Sequence, residues 1–295
     1  MDTSEQPLLD RRHFLKIAGV GLGALLLQPA ELAQAAENGE DELAILYDAS
    51  KCIGCRQCEE ACKAYNKLPE ESTRPTELSA NTWNLIEQRA GVEREGAPFF
   101  LKQCMHCNDA ACVSVCTTGA LKKDEQGFVS LDADACNGCG YCTQFCPFGV
   151  PHLGDVNLVT GTAQAAKCTF CQEKVWSGEG GPSCAEACPT GALTWADRQT
   201  LVSEAQARVS ELMDEGRRGA RIYGLKEAGG LHRISILLDH PAAYGLPTDP
   251  DGPFVFSAMW QRVIQPLGGV AVGATGLGLV LNWLVARTQI KAEEL

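Results

Sequence analysis

The stretch "CNGCGYCTQFCPFGVP", residues 136–151, sets four cysteines into eleven positions and follows the last with a proline. Intervals of two, two and three residues crowd four thiols onto one tight loop. Such a loop suits disulfides, a zinc ion or a larger metal group, and the rest of the chain must decide among them. All sixteen cysteines of the 295-residue chain lie between Cys52 and Cys188, in four sets of four. "CIGCRQCEEAC" gives Cys52, Cys55, Cys58 and Cys62. "CMHCNDAACVSVC" gives Cys104, Cys107, Cys112 and Cys116. The quoted stretch gives Cys136, Cys139, Cys142 and Cys146, and "CTFCQEKVWSGEGGPSCAEAC" gives Cys168, Cys171, Cys184 and Cys188.

Sets one and three have the spacing C-x2-C-x2-C-x3-C, the bacterial ferredoxin run. Sets two and four keep the first C-x2-C and the last C-x3-C but lengthen the middle gap to four and twelve residues. Three cysteines on a tight loop wrap three corners of a cubane. The fourth, on the first turn of a helix, points away and reaches a neighbouring cluster. Gly138 permits the sharp turn. Pro147 and Pro189 follow the fourth cysteines of sets three and four, whereas Lys63 and Thr117 stand there in sets one and two. A disulfide scaffold has no need of a C-x2-C pair repeated four times. The run of three cysteines, present twice, fits a cubane better than a tetrahedral zinc ion. The spacing therefore predicts that all sixteen cysteines ligate iron, in four [4Fe-4S] clusters.

Little else in the chain offers chemistry. The net charge of −12 and the absence of a basic patch exclude a nucleic-acid role. No nucleophile–base grouping, phosphate-binding loop or dinucleotide fingerprint is present. The histidines (His13, His106, His152, His232 and His240) are scattered. His106, between two cysteines, is expected to face solvent or bond the backbone rather than tune a cluster. The sequence thus predicts electron transfer without a catalytic site.

The two ends agree with each other. Arg11 and Arg12 precede an apolar run over residues 17–27 and a small-residue pattern, Ala33-Gln34-Ala35. This is a twin-arginine export signal, used by proteins exported folded with their cofactor inserted. Residues 263–286 contain no charge over 24 positions and are bracketed by Trp260, Arg262, Arg287 and Lys291. That length spans the hydrocarbon layer, which needs about 20 apolar residues. The tail with Arg287 and Lys291 then lies in the cytoplasm and the cluster region on the exported, periplasmic side.

"TTGAL" at 117–121 and "PTGAL" at 189–193 follow sets two and four, so the chain reads as a duplicated block. The predicted class is α+β: duplicated bacterial-ferredoxin-like domains, whose helices carry the fourth cysteines, with one C-terminal transmembrane helix. The expected organisation is a signal peptide over 1–35, a four-cluster region over 44–199 with an inner ferredoxin-like unit at 100–150, and a packing helix with an extended connector over 200–257. A transmembrane helix over 258–286 and a cytoplasmic tail over 287–295 complete it. The packing helix buries Leu201, Ala205, Val209 and Leu212.

With these residues in hand, the chain resembles the iron–sulfur beta subunit of membrane-bound respiratory formate dehydrogenases. The likeness rests on "CIGCRQC", "ELSANTWN", "QCMHC", "GCGYCTQFCPFGVP", "KCTFC", "CPTGAL" and "GGLHRISILLDHPAAYGLPTDP" (229–250). Similar motifs occur in four-cluster subunits of other molybdopterin enzymes and of hydrogenases. The resemblance implies anaerobic respiration, with electrons passing from formate on a molybdopterin or tungstopterin subunit to a membrane cytochrome b and quinone. It also implies nested ligand sets: Cys52, Cys55, Cys58 with Cys188; Cys168, Cys171, Cys184 with Cys62; Cys104, Cys107, Cys112 with Cys146; and Cys136, Cys139, Cys142 with Cys116. Spacing and duplication alone equally allow sets one and two, and sets three and four, to pair in sequence. The export signal on this subunit itself departs from the formate dehydrogenase pattern. It is similar instead to the four-cluster subunit of certain membrane-bound nickel–iron hydrogenases, which makes a hydrogenase the alternative partner.

Overall fold

The structure, a computed structural model, describes residues 42–89, 99–156, 161–248, 250 and 264–293. The export signal expected over residues 1–35 lies outside the described residues.

Strand β1 (Leu43–Asp48) is buried along almost its whole length. Such a strand, apolar on both faces, must be covered on both. After it come helix α1 (Gln57–Asn66), a hairpin of β2 (Leu85–Gln88) and β3 (Phe99–Lys102), the one-turn helix α2 (Ala111–Ser114) and a hairpin of β4 (Leu121–Lys123) and β5 (Val129–Leu131). Helix α3 (Tyr141–Phe145), the pair β6 (His152–Leu153) and β7 (Ala165–Ala166), and helices α4 (Gln172–Trp176) and α5 (Ser183–Glu186) complete the cysteine region. Strand β8 (Leu193–Asp197), helix α6 (Arg198–Asp214), and strands β9 (Arg221–Tyr223) and β10 (Arg233–Leu237) follow. Helix α7 (Gln265–Glu293) ends the described chain.

The frame is a four-stranded mixed sheet in the order β8-β1-β10-β9. Strand β8 runs antiparallel to β1, β10 parallel to it, and β9 antiparallel to β10. Helix α6 packs on this sheet, burying Leu201, Ala205 and Leu212 with Val209 partly covered. It starts where the Asp197 carboxylate accepts from the Thr200 N–H at 2.9 Å, a cap worth about 1 kcal/mol. Asp48 of β1 accepts from Arg208 of α6, so Ala44, Leu46 and Asp48 face the helix. By strand alternation Ile45 and Tyr47, with their register partners Arg233 and Ser235, face the other way. On that side lie Phe100, Leu101 and Met105 of the cysteine region.

Within the stretch expected as a connector with short apolar strands such as "HRISILL", residues 221–223 and 233–237 are strands of the central sheet, and β10 is buried throughout. A short strand carries no sign in its own residues of a partner about 190 positions upstream. Of the helix expected over 258–286, residues 258–263 lie outside the described residues, and the described part runs Gln265–Glu293, into the stretch read as a tail. Its window Leu267–Leu284 has a mean hydropathy of 1.6 and none of it is buried, so it is long and apolar enough to cross a membrane.

Candidate functional site

The first C-x2-C pair of each set bends at the residue before its second cysteine, where the backbone is left-handed: Gly54 (φ 68°), His106 (φ 47°), Gly138 (φ 73°) and Phe170 (φ 63°). The reversal folds each loop around a common centre. At Gly138 only glycine fits, because a Cβ would collide with the Ala163 carbonyl. His106 and Phe170 adopt the same conformation with full side chains, which costs about 1–3 kcal/mol each and must be held by packing. Both are fully buried, and Phe170 stacks on Phe128 with ring centroids 5.0 Å apart.

The helices are shorter than the spacing predicts. Only α1 carries a fourth cysteine, Cys62. In the other sets the third cysteine (Cys112, Cys142 or Cys184) lies in a single turn, and Cys116, Cys146 and Cys188 follow its end.

The sulfurs gather in four centres. Cys52, Cys55, Cys58 and Cys188 line one cavity with Tyr47 and Ile86, centre A. Cys62 lies beside Cys168 and Cys171, and Cys184 beside Cys62 and Cys171, centre B. Cys107 lies beside Cys104, Cys112 and Cys146, centre C. Cys116, Cys136, Cys139 and Cys142 line a second cavity with Leu121, Leu131 and Ala165, centre D. Sets one and four thus exchange their fourth cysteines, as do sets two and three. Neighbouring centres touch in turn: Cys184 feels Cys58, Cys168 feels Cys104, and Cys112 feels Cys142. The four centres therefore form a row. Cys55 at one end and Cys139 at the other are exposed, while all four cysteines of centre B are buried.

Burial makes several of these thiols hard to ionise, whereas hydrogen bonds from Leu121 and Thr118 outweigh burial at Cys116 and lower it. Burial pushes Cys142 up to about 11, helped by the sulfurs of Cys136, Cys139 and Cys116. Burial also pushes Cys146 up to about 11. Sulfurs so placed become thiolates only around positive metal, which deprotonates the thiols that coordinate it. All sixteen cysteines are free thiols rather than disulfides. Among the described residues no group of three or more His, Cys, Asp or Glu side chains is placed to hold a single metal ion. Zinc would need its ligands within about 2.3 Å of one point. A thiol-only donor set lining a cavity fits a multi-iron cluster instead. When bound, such clusters supply one-electron redox chemistry.

The chain also supplies hydrogen bonds to the sulfurs, which orient ligands and tune a metal group. The repeated "TGAL" finds its meaning here. The N–H groups of Leu121 and Leu193 donate to the sulfurs of Cys116 and Cys188, each at 3.4 Å, and Thr118 and Thr190 place their hydroxyls at 3.8 and 3.7 Å from the same two sulfurs. The Ala165 N–H donates to the Cys136 sulfur at 3.3 Å and the Ser183 N–H to the Cys171 sulfur at 3.4 Å. Asn84, buried in the "ELSANTWN" stretch, donates to the Cys58 carbonyl at 3.3 Å and to the Cys184 sulfur, so it ties centre A to centre B. None of these residues was singled out from the sequence. The repeat itself was the available signal for four of them.

His106 is buried, not solvent-facing. Its Nδ1 accepts the Val129 N–H at 3.0 Å, so its role is the backbone-bonded one. Burial, with Lys167 nearby, holds its pKa well below the usual imidazole range, so the ring is neutral.

Comparison with known proteins bears on this geometry. Residues 97–198 and residues 51–121 each match a 4Fe-4S dicluster domain family. The chain is 30% identical to the formate dehydrogenase iron-sulfur subunit of Haemophilus influenzae, over 88% of this chain and 86% of that one. It is 32% identical to the nitrate-inducible formate dehydrogenase iron-sulfur subunit of Escherichia coli K12, over 82% and 85%. It is 37% identical to the hydrogenase-2 operon protein HybA of Escherichia coli O157:H7, over 89% and 93%. Two dicluster domains and sixteen free cysteines in four centres account for four [4Fe-4S] clusters, and the chain belongs to the family of iron–sulfur electron-transfer subunits found in formate dehydrogenase and hydrogenase-type complexes.

Proposed function

We propose that this chain relays electrons from a formate-oxidising molybdopterin or tungstopterin subunit, through its four clusters, to a membrane cytochrome b and quinone. What carries the reading is the row of cysteine centres with an exposed cysteine at each end, the form a relay between two partners requires. The ligand sets are those of centres A to D: Cys52, Cys55, Cys58 and Cys188; Cys62, Cys168, Cys171 and Cys184; Cys104, Cys107, Cys112 and Cys146; Cys116, Cys136, Cys139 and Cys142. The protein's part is to hold each centre in place and to keep water from the inner ones. Helix α7 anchors the chain in the membrane, with the cluster domain on the exported side. Its apolar, exposed window supports this, as does the twin-arginine motif at Arg11 and Arg12.

A second reading replaces the formate-oxidising partner with a nickel–iron hydrogenase. Two observations favour it: the chain has its own export motif, and it is 37% identical to HybA along nearly its whole length. Purification of the tagged chain with its partners from native membranes decides between them. Viologen reduction dependent on formate supports the first reading and reduction dependent on hydrogen the second. A purified complex active with neither overturns both.

A further inference from the structure

Arg233 is a fully buried guanidinium at the centre of the molecule. Among the described residues no carboxylate lies within ion-pair distance of it, and its Nε has no hydrogen-bond partner. Its other nitrogens donate to the Leu101 carbonyl and the Ser235 hydroxyl, with the Met105 sulfur at 3.9 Å. It lies over the rings of Tyr47 and Phe100, 4.9 and 5.0 Å from their centroids. These are neutral groups. A buried charge without a counter-charge is strongly destabilising, so something negative must compensate it.

The geometry shows where that charge is. Tyr47, under the guanidinium, lines the centre A cavity, and Met105 lies between Cys104 and Cys107. Burial lowers the Arg233 pKa to about 10, and the groups that oppose it, after Tyr47, are Cys184, Cys58 and Cys168. Those sulfurs belong to centres A and B, while the Cys104 and Cys107 that flank Met105 belong to centre C. Arg233 remains charged at neutral pH. It is a fully buried cation facing sulfurs of both centres A and B.

We propose that Arg233 is a potential-setting residue, whose fixed positive charge raises the reduction potentials of the clusters in centres A and B above what their sulfurs alone would give. The proposal rests on the ligand sets given above. Reduction adds one electron, and so one negative charge, to a centre without making or breaking a bond. A nearby buried cation stabilises the more negative form. A purely structural role, in which Arg233 ties β10 to Leu101 and Met105, predicts no such shift.

The test is a dithionite titration of the full-length detergent-solubilised protein, followed by electron paramagnetic resonance. Arg233→Met should shift the waves of centres A and B by at least tenfold in the reduction equilibrium, about 59 mV downwards for a one-electron couple, leaving that of centre D in place. Arg233→Lys, which keeps the charge, should stay near the parent. Ser235→Asp neutralises the guanidinium without removing it and should lower the same two waves; it decides the matter where Arg233→Met fails to retain its iron. Unmoved waves in either iron-replete variant, or equal movement of all four, overturn the proposal. A protein with no redox waves at all would instead overturn the cluster reading beneath it.

Discussion

His106 and Phe170 occupy the same position in two of the cysteine loops, each one residue before the second cysteine of a C-x2-C pair, and their rings meet edge to face at 5.2 Å. Both have left-handed backbones. The duplicated loops therefore close on each other through the residues that bend them, and the contact holds two strained turns at once. In sets one and three the equivalent residues are glycines, which need no such support.

Removing the Phe170 ring should be costly. Phe170→Ala deletes a buried aromatic and keeps a residue that resists the left-handed region, for a loss of about 3–5 kcal/mol. Phe170→Gly deletes the same ring but relieves the backbone, by about 1–2 kcal/mol. The temperature at which visible absorption bleaches should fall in both, and further in the alanine variant. The opposite order would show that the backbone of this turn is unstrained.

Gly138 tests one centre. Gly138→Ala places a Cβ against the Ala163 carbonyl on a backbone that disfavours it, so centre D should fail to assemble. Iron analysis should find about twelve atoms in place of sixteen, at four per cluster. Gly149 also has a positive φ but open space around it, and Gly149→Ala should keep its iron.

The exchange of fourth cysteines gives a sharper check. Cys62→Ala and Cys171→Ala should erase the same paramagnetic signal, although the two residues belong to different sets in the sequence. Cys55→Ala should erase another. Loss of one shared signal in Cys62→Ala and Cys107→Ala would return the ligand sets to sequential order, with sets one and two exchanging their fourth cysteines.

Asn84 joins centres A and B through its amide. Asn84→Leu removes both bonds and leaves the Cys58 carbonyl short of a donor, at a cost of about 1–3 kcal/mol. Chemical denaturation followed at the cluster absorption should report it, and an unchanged midpoint would assign the amide no part in the joint.

Helix α7 should act as an anchor and nothing more. A chain ending after residue 250 should leave the membrane fraction and keep its visible spectrum, because the sheet and all four centres lie before that point. Continued sedimentation with membranes would place the anchor elsewhere.

Cluster chemistry was legible in the sequence because ligand spacing is local: two residues between Cys136 and Cys139 fix what a loop can wrap. The packing helix was legible because Leu201, Ala205 and Leu212 repeat at helical intervals on one face. "HRISILL" was legible as a short apolar strand, but its place in the sheet was not, because its pairing with β1 joins residues 45–48 to residues 233–236. The setting of Arg233 was hidden for the same reason: only the cysteine region packed on that side of β10 shows what surrounds its charge.

By itself the sequence determined the cofactor, the number of cysteine sets and a helix long enough to span a membrane, since each depends on composition or spacing within a few dozen residues. Only the tertiary structure decided which cysteines meet, in what order the four centres stand, and where the buried charge sits among them. Those depend on folding the first set against the last, Cys58 beside Cys188 and Cys62 beside Cys168. The central sheet achieves this by pairing β1 with β8 and β10, contacts between distant segments that no local pattern encodes.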